Sequence, residues 1–214
     1  TYYILAQAED SMNLWTAVGA SDGILVAAPV RVQTPAGAKQ LADGQPLILS
    51  GVLVSRVWSG SDWVCYVQDA DRASGIRVEG SGPAPAAGTQ VEITGVMGSF
   101  GFERYIEASD TTQTGAPGEP RPLAMVGRAL LNDGVEHVGL LVRIAGRVAR
   151  HSVAEGCFHV DDGSGEVRCA AAGLSWPSVG SFVTVTGASG LDDVSGASTA
   201  CVRVQRGSDI LAVQ

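Results

Sequence analysis

Apolar and polar residues alternate along most of this chain, in short stretches separated by Gly, Pro or Asp. Two segments show the alternation most clearly, LILSGVLV and VRIAGRVA; its apolar positions are Leu47, Leu49 and Leu53 in the first and Val142, Ile144 and Val148 in the second. A period of two residues is typical of half-buried β-strands. Few stretches free of Gly or Pro are long enough for a helix, so the pattern predicts an all-β chain of short strands joined by turns.

The strands recur as two copies of one pattern. GTQVEITGVMG, from Gly88, matches GSFVTVTGASG, from Gly180, at an offset of 92 residues. Upstream, the two alternating segments match around Gly51 and Gly146, and between them CYVQDADRASGIRV matches FHVDDGSGEVRC as a predicted β-hairpin. A last strand ends each copy, as ERYIEAS and as ACVRVQ. Each copy is therefore predicted to hold five strands.

Five strands, with a glycine inside a long first strand and a closing strand after a variable loop, resemble the oligonucleotide/oligosaccharide-binding (OB) fold. The usual helix between strands three and four is replaced by GSGPAPAAG and by AAAGLSWPSVG. The order of elements also resembles tandem OB-like modules of secreted bacterial proteins of unassigned function. That resemblance covers residues 40–214 and brings no catalytic residues with it.

The resulting prediction is an all-β chain in four parts. Residues 1–40 form a sandwich-like N-terminal β region, a candidate for a sheet that lacks one strand. Residues 41–114 form the first OB-like five-stranded barrel, residues 115–137 are a linker with a short helical turn, and residues 138–214 form the second barrel. Equivalent positions of the two copies are expected to face inward, namely Leu49 with Ile144 and Ile93 with Val185.

Net charge and termini bear on the partners and the compartment. The formal net charge is −8, and a polyanion would meet net repulsion, so nucleic acid is predicted not to be a partner. The sequence begins at Thr1 and contains four cysteines, which favours an exported bacterial protein, extracellular or at the cell surface, with its signal peptide removed. No run of 18 apolar residues occurs, so no membrane span is expected.

The hairpin register predicts which way each cysteine points. If the apolar residues of both hairpins share one side, Cys65 and Cys169 point inward, whereas Cys157 and Cys201 point outward. A disulfide bond between Cys157 and Cys201 is therefore the candidate pairing, among the three that four cysteines allow.

Catalytic and metal-binding motifs are weak in this sequence. Asp161, Asp162 and Glu166 flank a glycine-containing turn, where a Ca²⁺ loop is one interpretation and a plain hairpin turn the favoured one. The three histidines share no ligand spacing, and no nucleophile motif is present. We expect no enzymatic activity, no cofactor and no metal.

Five aromatic residues fall on two loops of the first copy, the loops that flank the binding face of an OB fold. They are Trp58, Trp63, Phe100, Phe102 and Tyr105. Stacking rings could hold a sugar or a base. The alternative is that the rings cap the barrel or pack against the N-terminal region. The resulting hypothesis is a carbohydrate-binding or adhesive accessory module with polysaccharide as its ligand.

The first six residues, TYYILA, would place apolar side chains on both faces of a strand, because Tyr2, Ile4 and Ala6 alternate with Tyr3 and Leu5. An edge strand without a charge, a Pro or a bulge invites pairing with another chain. The arrangement is similar to donor-strand-exchange pilus subunits, and the leading hypothesis is a structural subunit of an extracellular, homopolymeric fibril. Pairing of this strand within its own chain is the alternative.

Overall fold

The structure is a computed structural model, and it describes residues 5–6, 19–20, 28–131 and 136–213. Apart from two-residue strands β1 and β2, the first part of the chain folds as one module of a short strand, a short helix and five long strands. The elements are β1 (Leu5–Ala6), β2 (Gly19–Ala20), β3 (Val30–Val32), α1 (Pro35–Lys39), β4 (Pro46–Trp58), β5 (Asp62–Gln68), β6 (Gly75–Ser81), β7 (Gln90–Phe100) and β8 (Glu103–Gln113).

The second module repeats this order of elements. Its elements are β9 (Leu123–Ala124), α2 (Gly127–Leu131), β10 (Leu141–Ser152), β11 (Cys157–Asp161), β12 (Glu166–Ala170), β13 (Phe182–Val194), β14 (Ala197–Arg203) and β15 (Ile210–Ala212). Two 3-10 turns, Val153–Glu155 and Gly207–Asp209, lie between strands of this module.

Both modules are closed five-stranded barrels. In the first, β4 pairs with β5, β5 with β6, β6 in parallel with β8, β8 with β7, and β7 back with β4. In the second, β10, β11, β12, β14 and β13 close in the same way, again with one parallel pair between the third and fifth strands. This strand order is that of an OB-like barrel, and it confirms the predicted fold class.

The repeat extends further upstream than the sequence comparison found. Strand β3 runs parallel to β4, and β9 runs parallel to β10, so each barrel receives the same extra edge strand, with a short helix after it. Ala38 of α1 lies in the first core and Leu130 of α2 in the second. The first module therefore begins before the predicted boundary at residue 41.

The inward-facing positions predicted from the repeat are confirmed. Leu49 and Ile93 are buried in the core of the first barrel, and Ile144 and Val185 in the core of the second. The first strand of barrel one contains a bulge at Gly51, whose φ of 77° is a left-handed conformation that suits glycine. Because the bulge reverses the facing of the residues after it, Val52 and Val54 point into the core.

The N-terminal strand pairs within its own chain. Leu5 lies opposite Ala20 and Ala6 opposite Gly19 in an antiparallel ladder, so this segment already has a partner strand. The prediction that it pairs with a neighbouring subunit is wrong for these two residues. Its other residues, Tyr2, Tyr3 and Ile4, lie outside the described residues.

The predicted disulfide bond does not form, and all four cysteines are free. Strand β12 lies between β11, which carries Cys157, and β14, which carries Cys201. Two strand spacings are about 9–10 Å, whereas bridged cysteines have Cα atoms less than about 7 Å apart. The outward facing of both residues was therefore not sufficient for a bond. Export of the protein stays a prediction.

Contacts from several elements join the two modules. The main chains of Gly75 and Gly139 are in direct contact, so a Cβ atom on either residue would overlap the main chain of the other. The Gln68 side chain accepts a hydrogen bond of 2.9 Å from the Leu141 N–H. Lys39 Nζ donates to the Glu136 carboxylate at 2.5 Å. The interface uses the outer face of the first barrel, and this positions the candidate site between the two modules.

Candidate functional site

Each barrel carries the same row of three side chains across the outer face of its first three strands. In each row, the ring of a tyrosine or histidine on the middle strand lies between two arginines, one on each neighbouring strand. The rows are Arg56, Tyr66 and Arg77 in the first barrel, and Arg150, His159 and Arg168 in the second. The face that carries them is the one that binds ligands in OB folds.

The second module covers the centre of the first row. Tyr66 is fully buried, and its hydroxyl donates to Glu103 Oε2 at 2.9 Å while accepting from Arg203 Nε at 2.9 Å. The other Glu103 oxygen accepts from Arg203 Nη2 at 2.9 Å and from the Leu191 N–H at 2.5 Å. Burial, together with the charge of Glu103, raises the pKa of Tyr66, so the phenol stays protonated. The second module is therefore held to the first through hydrogen bonds to Tyr66 and Glu103.

The second row continues the same network. Arg168 donates to Asp192 at 2.9 Å and to Glu155, and Asp192 also accepts from Arg203 at 2.5 Å. Burial raises the pKa of Asp192, but Arg203 and Arg168 outweigh it and hold that pKa below its usual range. Each of these guanidinium groups is thus paired with carboxylates. The network holds the two outer faces at a fixed separation.

A cleft of about 460 Å³ remains between the two faces, in the size range of ligand pockets. Arg77 and Arg168, which occupy equivalent positions in the repeat, both line it, and Trp58 stands at its edge in edge-to-face contact with Tyr66, with ring centroids 5.9 Å apart. Val64 contributes apolar surface. The cleft can accept a planar, partly apolar group near guanidinium groups.

Two aromatic rings lie exposed at the loop that joins β7 to β8, one on the last residue of β7 and one in the loop itself. Phe100 is 65% exposed and Phe102 is 45% exposed. The Arg77 guanidinium stands 5.4 Å from the centroid of the Phe100 ring, which connects this loop to the cleft. Exposed rings beside a cationic group form a stacking surface for planar ligands.

Trp63 and Tyr105 do not belong to this exposed surface. Trp63 is 3% exposed and packs over Gly80 on the paired strand, while Tyr105 packs over Gly98. In each pair the missing Cβ of the glycine leaves room for the ring. The five predicted aromatic residues therefore fall into two sets. Phe100, Phe102 and Trp58 lie at the surface or at the cleft, whereas Trp63 and Tyr105 pack over glycines.

The aspartates of the second hairpin stabilise a turn. Asp161 Oδ1 accepts from the N–H of Gly163 at 2.7 Å, and Asp162 Oδ1 accepts from the N–H of Ser164 at 3.0 Å. Their oxygens are thus used by the turn's own main chain, as the favoured interpretation required. Across residues 28–131 and 136–213, no group of three or more His, Cys, Asp or Glu is placed to hold a metal ion.

No family model and no curated protein matches this chain. Solved structures with a similar arrangement include one described as tetrameric p202 HIN2, at 14% identity and a TM-score of 0.38, covering 80% of this chain and 95% of that one. A murine DNA binding protein bound with double-stranded DNA matches at 10% identity and a TM-score of 0.39, over 79% and 97% of the two chains. The p202 HIN1 complex with a 12-mer duplex matches at 10% and 0.38, over 80% and 94%.

These findings contradict three predictions made from the sequence. Two of these structures are described as complexes with double-stranded DNA, and none of the three is described as a fibril, a pilus or a carbohydrate complex. The fibril subunit, the carbohydrate-binding module and the exclusion of nucleic acid are therefore withdrawn. Identities of 10–14% with TM-scores below 0.5 give no argument for a function of this chain, which has to come from its own site.

Net charge was a poor guide because it averages over the chain. Residues 138–214 contain six arginines and seven acidic residues, whereas residues 41–114 contain four arginines and nine acidic residues. The second module is thus close to neutral, and much of the repulsion predicted from the net charge of −8 comes from the first module.

In the described part of the chain, no helix is both long and apolar enough to cross a membrane.

Proposed function

We propose that this protein binds single-stranded nucleic acid across the outer faces of its two barrels, without catalysis. The observation that carries the proposal is the repeated row of arginine, ring and arginine, whose equivalent members Arg77 and Arg168 meet at one cleft. OB-like barrels that bind single strands combine cationic groups with rings on this face.

Base stacking supplies the affinity in this proposal. Phe100 and Phe102 offer exposed rings at one end of the face, and Trp58 offers a third ring at the cleft. Stacking needs unpaired bases with free faces, which favours a single strand over a duplex. The bases lie against the rings while Arg77 and Arg168 contact the phosphate groups between them.

The arginines of the cleft are paired with carboxylates, and this fixes the expected salt dependence. Arg168 pairs with Glu155 and Asp192, and Arg77 pairs with Glu79 at 2.5 Å. A phosphate that joins such a pair releases few counterions. The slope of log affinity against log salt should therefore be about −2 or shallower, given about −0.7 for each neutralised phosphate of a single strand.

Replacing both Phe100 and Phe102 by Ala should weaken binding of a single-stranded oligonucleotide about tenfold or more, since stacking contributes about 1–3 kcal/mol per base. Fluorescence anisotropy with a labelled oligonucleotide of mixed sequence at low salt measures the change. Phe182→Ala is the matched control, because Phe182 is 41% exposed and lies outside the cleft, on β13. It should bind as the unmodified protein does.

Two results would reject this function. One is the absence of saturable binding by the unmodified protein at low salt. The other is an equal loss in the Phe182→Ala control, which would mean that any exposed ring contributes nonspecifically. In either case the network of Arg168, Asp192 and Arg203 serves only to join the modules.

A further inference from the structure

We propose a phosphate-binding site at the module junction, formed by Arg56, Arg143 and Arg206 beside Asp209. It takes an oxyanion of the phosphate class. It lies outside the cleft between the two outer faces, since none of these four residues lines that cleft. The site goes beyond the proposed function and does not depend on it.

Asp209 ties two of the three arginines together. Its Oδ1 accepts from Arg56 Nη2 at 2.8 Å, and its Oδ2 accepts from the Arg206 main-chain N–H at 3.1 Å. Both partners of the Arg56–Asp209 ion pair are largely buried. The 3-10 turn that carries Asp209 is thus held at Arg56 of the other module, and Arg206, whose side chain is exposed, immediately precedes this turn.

Strand register brings Arg143 to the same place. Arg143 of β10 lies opposite Thr186 of β13, and its Nε donates to Thr186 Oγ1 at 2.9 Å. On the other edge of β13, Val185 lies opposite Ile210 of β15. Asp209 comes one residue before Ile210, so the same register places it next to Thr186. The Arg143 side chain therefore reaches Thr186 on β13, the strand that separates it from Asp209, and it is exposed to solvent.

The charges of this cluster do not balance. Arg143 and Arg206 both lie near enough for their charges to act on Arg56, and Asp209 is the carboxylate paired with it. Three arginines and one carboxylate thus leave an excess of two positive charges in a protein whose net charge is −8. Burial lowers the pKa of Arg56, and the charges of Arg206 and Arg143 lower it further against the opposing effect of Asp209. Arg56 Nε is buried with no hydrogen-bond partner among the described residues. An oxyanion would relieve this repulsion and can accept from several guanidinium donors at once.

Titration with inorganic phosphate at constant ionic strength tests the site, with calorimetry and the thermal unfolding midpoint as readouts. Phosphate should bind saturably and raise the midpoint. In the double variant Arg143→Gln, Arg206→Gln, the affinity should fall at least tenfold; both side chains are exposed, so folding should be retained. Arg147→Gln is the matched control, since Arg147 lies on the same strand and is likewise exposed to solvent but donates to the Gly180 carbonyl.

The outcomes separate the site from general salt effects. No saturable response, or the same response in the double variant as in the control, overturns the proposal. A loss in the double variant alone supports it. Competition between inorganic phosphate and a 5′-phosphorylated oligonucleotide then assigns the site to nucleic-acid phosphate, and lack of competition assigns it to the free anion. Phosphate binding without oligonucleotide binding would keep this site and reject the binding of single strands.

Discussion

Replacing Glu103 by Ala should lower the free energy of unfolding by about 3–5 kcal/mol, the cost of removing one partner from a buried charge network. Glu103 is 2% exposed and accepts from Tyr66, Arg203 and the Leu191 main chain. Its loss leaves the buried tyrosine hydroxyl without an acceptor and deprives Arg203 of one carboxylate. Urea unfolding monitored by circular dichroism and by tryptophan fluorescence measures the change.

Glu107→Ala is the control for this prediction. Glu107 lies on the same strand, β8, and is exposed, so its loss should change the stability by less than about 0.5 kcal/mol. A Glu103→Ala variant as stable as this control would show that the network does not join the modules. The two outer faces would then not be held at a fixed separation.

Replacing Ile93 by Ala should cost about 2–4 kcal/mol of stability, because the truncation leaves a cavity in the first barrel. Ile93 is fully buried and lies opposite Leu49 on the neighbouring strand. Val96→Ala, at an exposed position of the same strand, is the matched control and should cost well under about 1 kcal/mol. The same urea experiment compares the two, and equal values would argue against the repeat-based assignment of the core.

The strands and the core were predictable because they depend on local pattern. Alternation identified the first strand of each barrel, and the repeat aligned Ile93 with Val185, which both lie in a core. The same alignment places Tyr66 with His159 and Arg77 with Arg168. The repeated row was therefore contained in the sequence, but it becomes visible only when outward-facing residues are compared across strands.

Two further features had signals that were missed. The pattern Leu-x-Asp-Gly occurs at residues 41–44 and again at 131–134, which marks the upstream extension of the repeat. Gly80 and Gly98 occur inside strands, where a glycine often marks a close approach. Each lies across from an aromatic residue that was predicted to lie on a loop beside the binding face. Both pairings lie within a hairpin, and the register that places Cys65 inward also places Trp63 opposite Gly80.

Sequence patterns could not predict the contacts at the module junction. Arg56 pairs with Asp209, 153 positions away, and Arg203 contacts Tyr66 across 137 positions. Such contacts depend on how two closed barrels meet. The insertion between β14 and β15, which carries Gln205 as well as Asp209, reaches the first barrel only in the folded protein, where Gln205 donates to the Val57 carbonyl.

Chemical-shift mapping with a single-stranded oligonucleotide tests the central claim most directly. We predict that the signals of the Trp58 indole N–H, of Gly101 between the two exposed rings, and of Ala170 in the cleft move saturably. The signals of Phe182 and Leu211, on the far edge of the second barrel, should stay in place. Unchanged spectra, or shifts confined to that edge, would contradict binding on the outer faces of the two barrels.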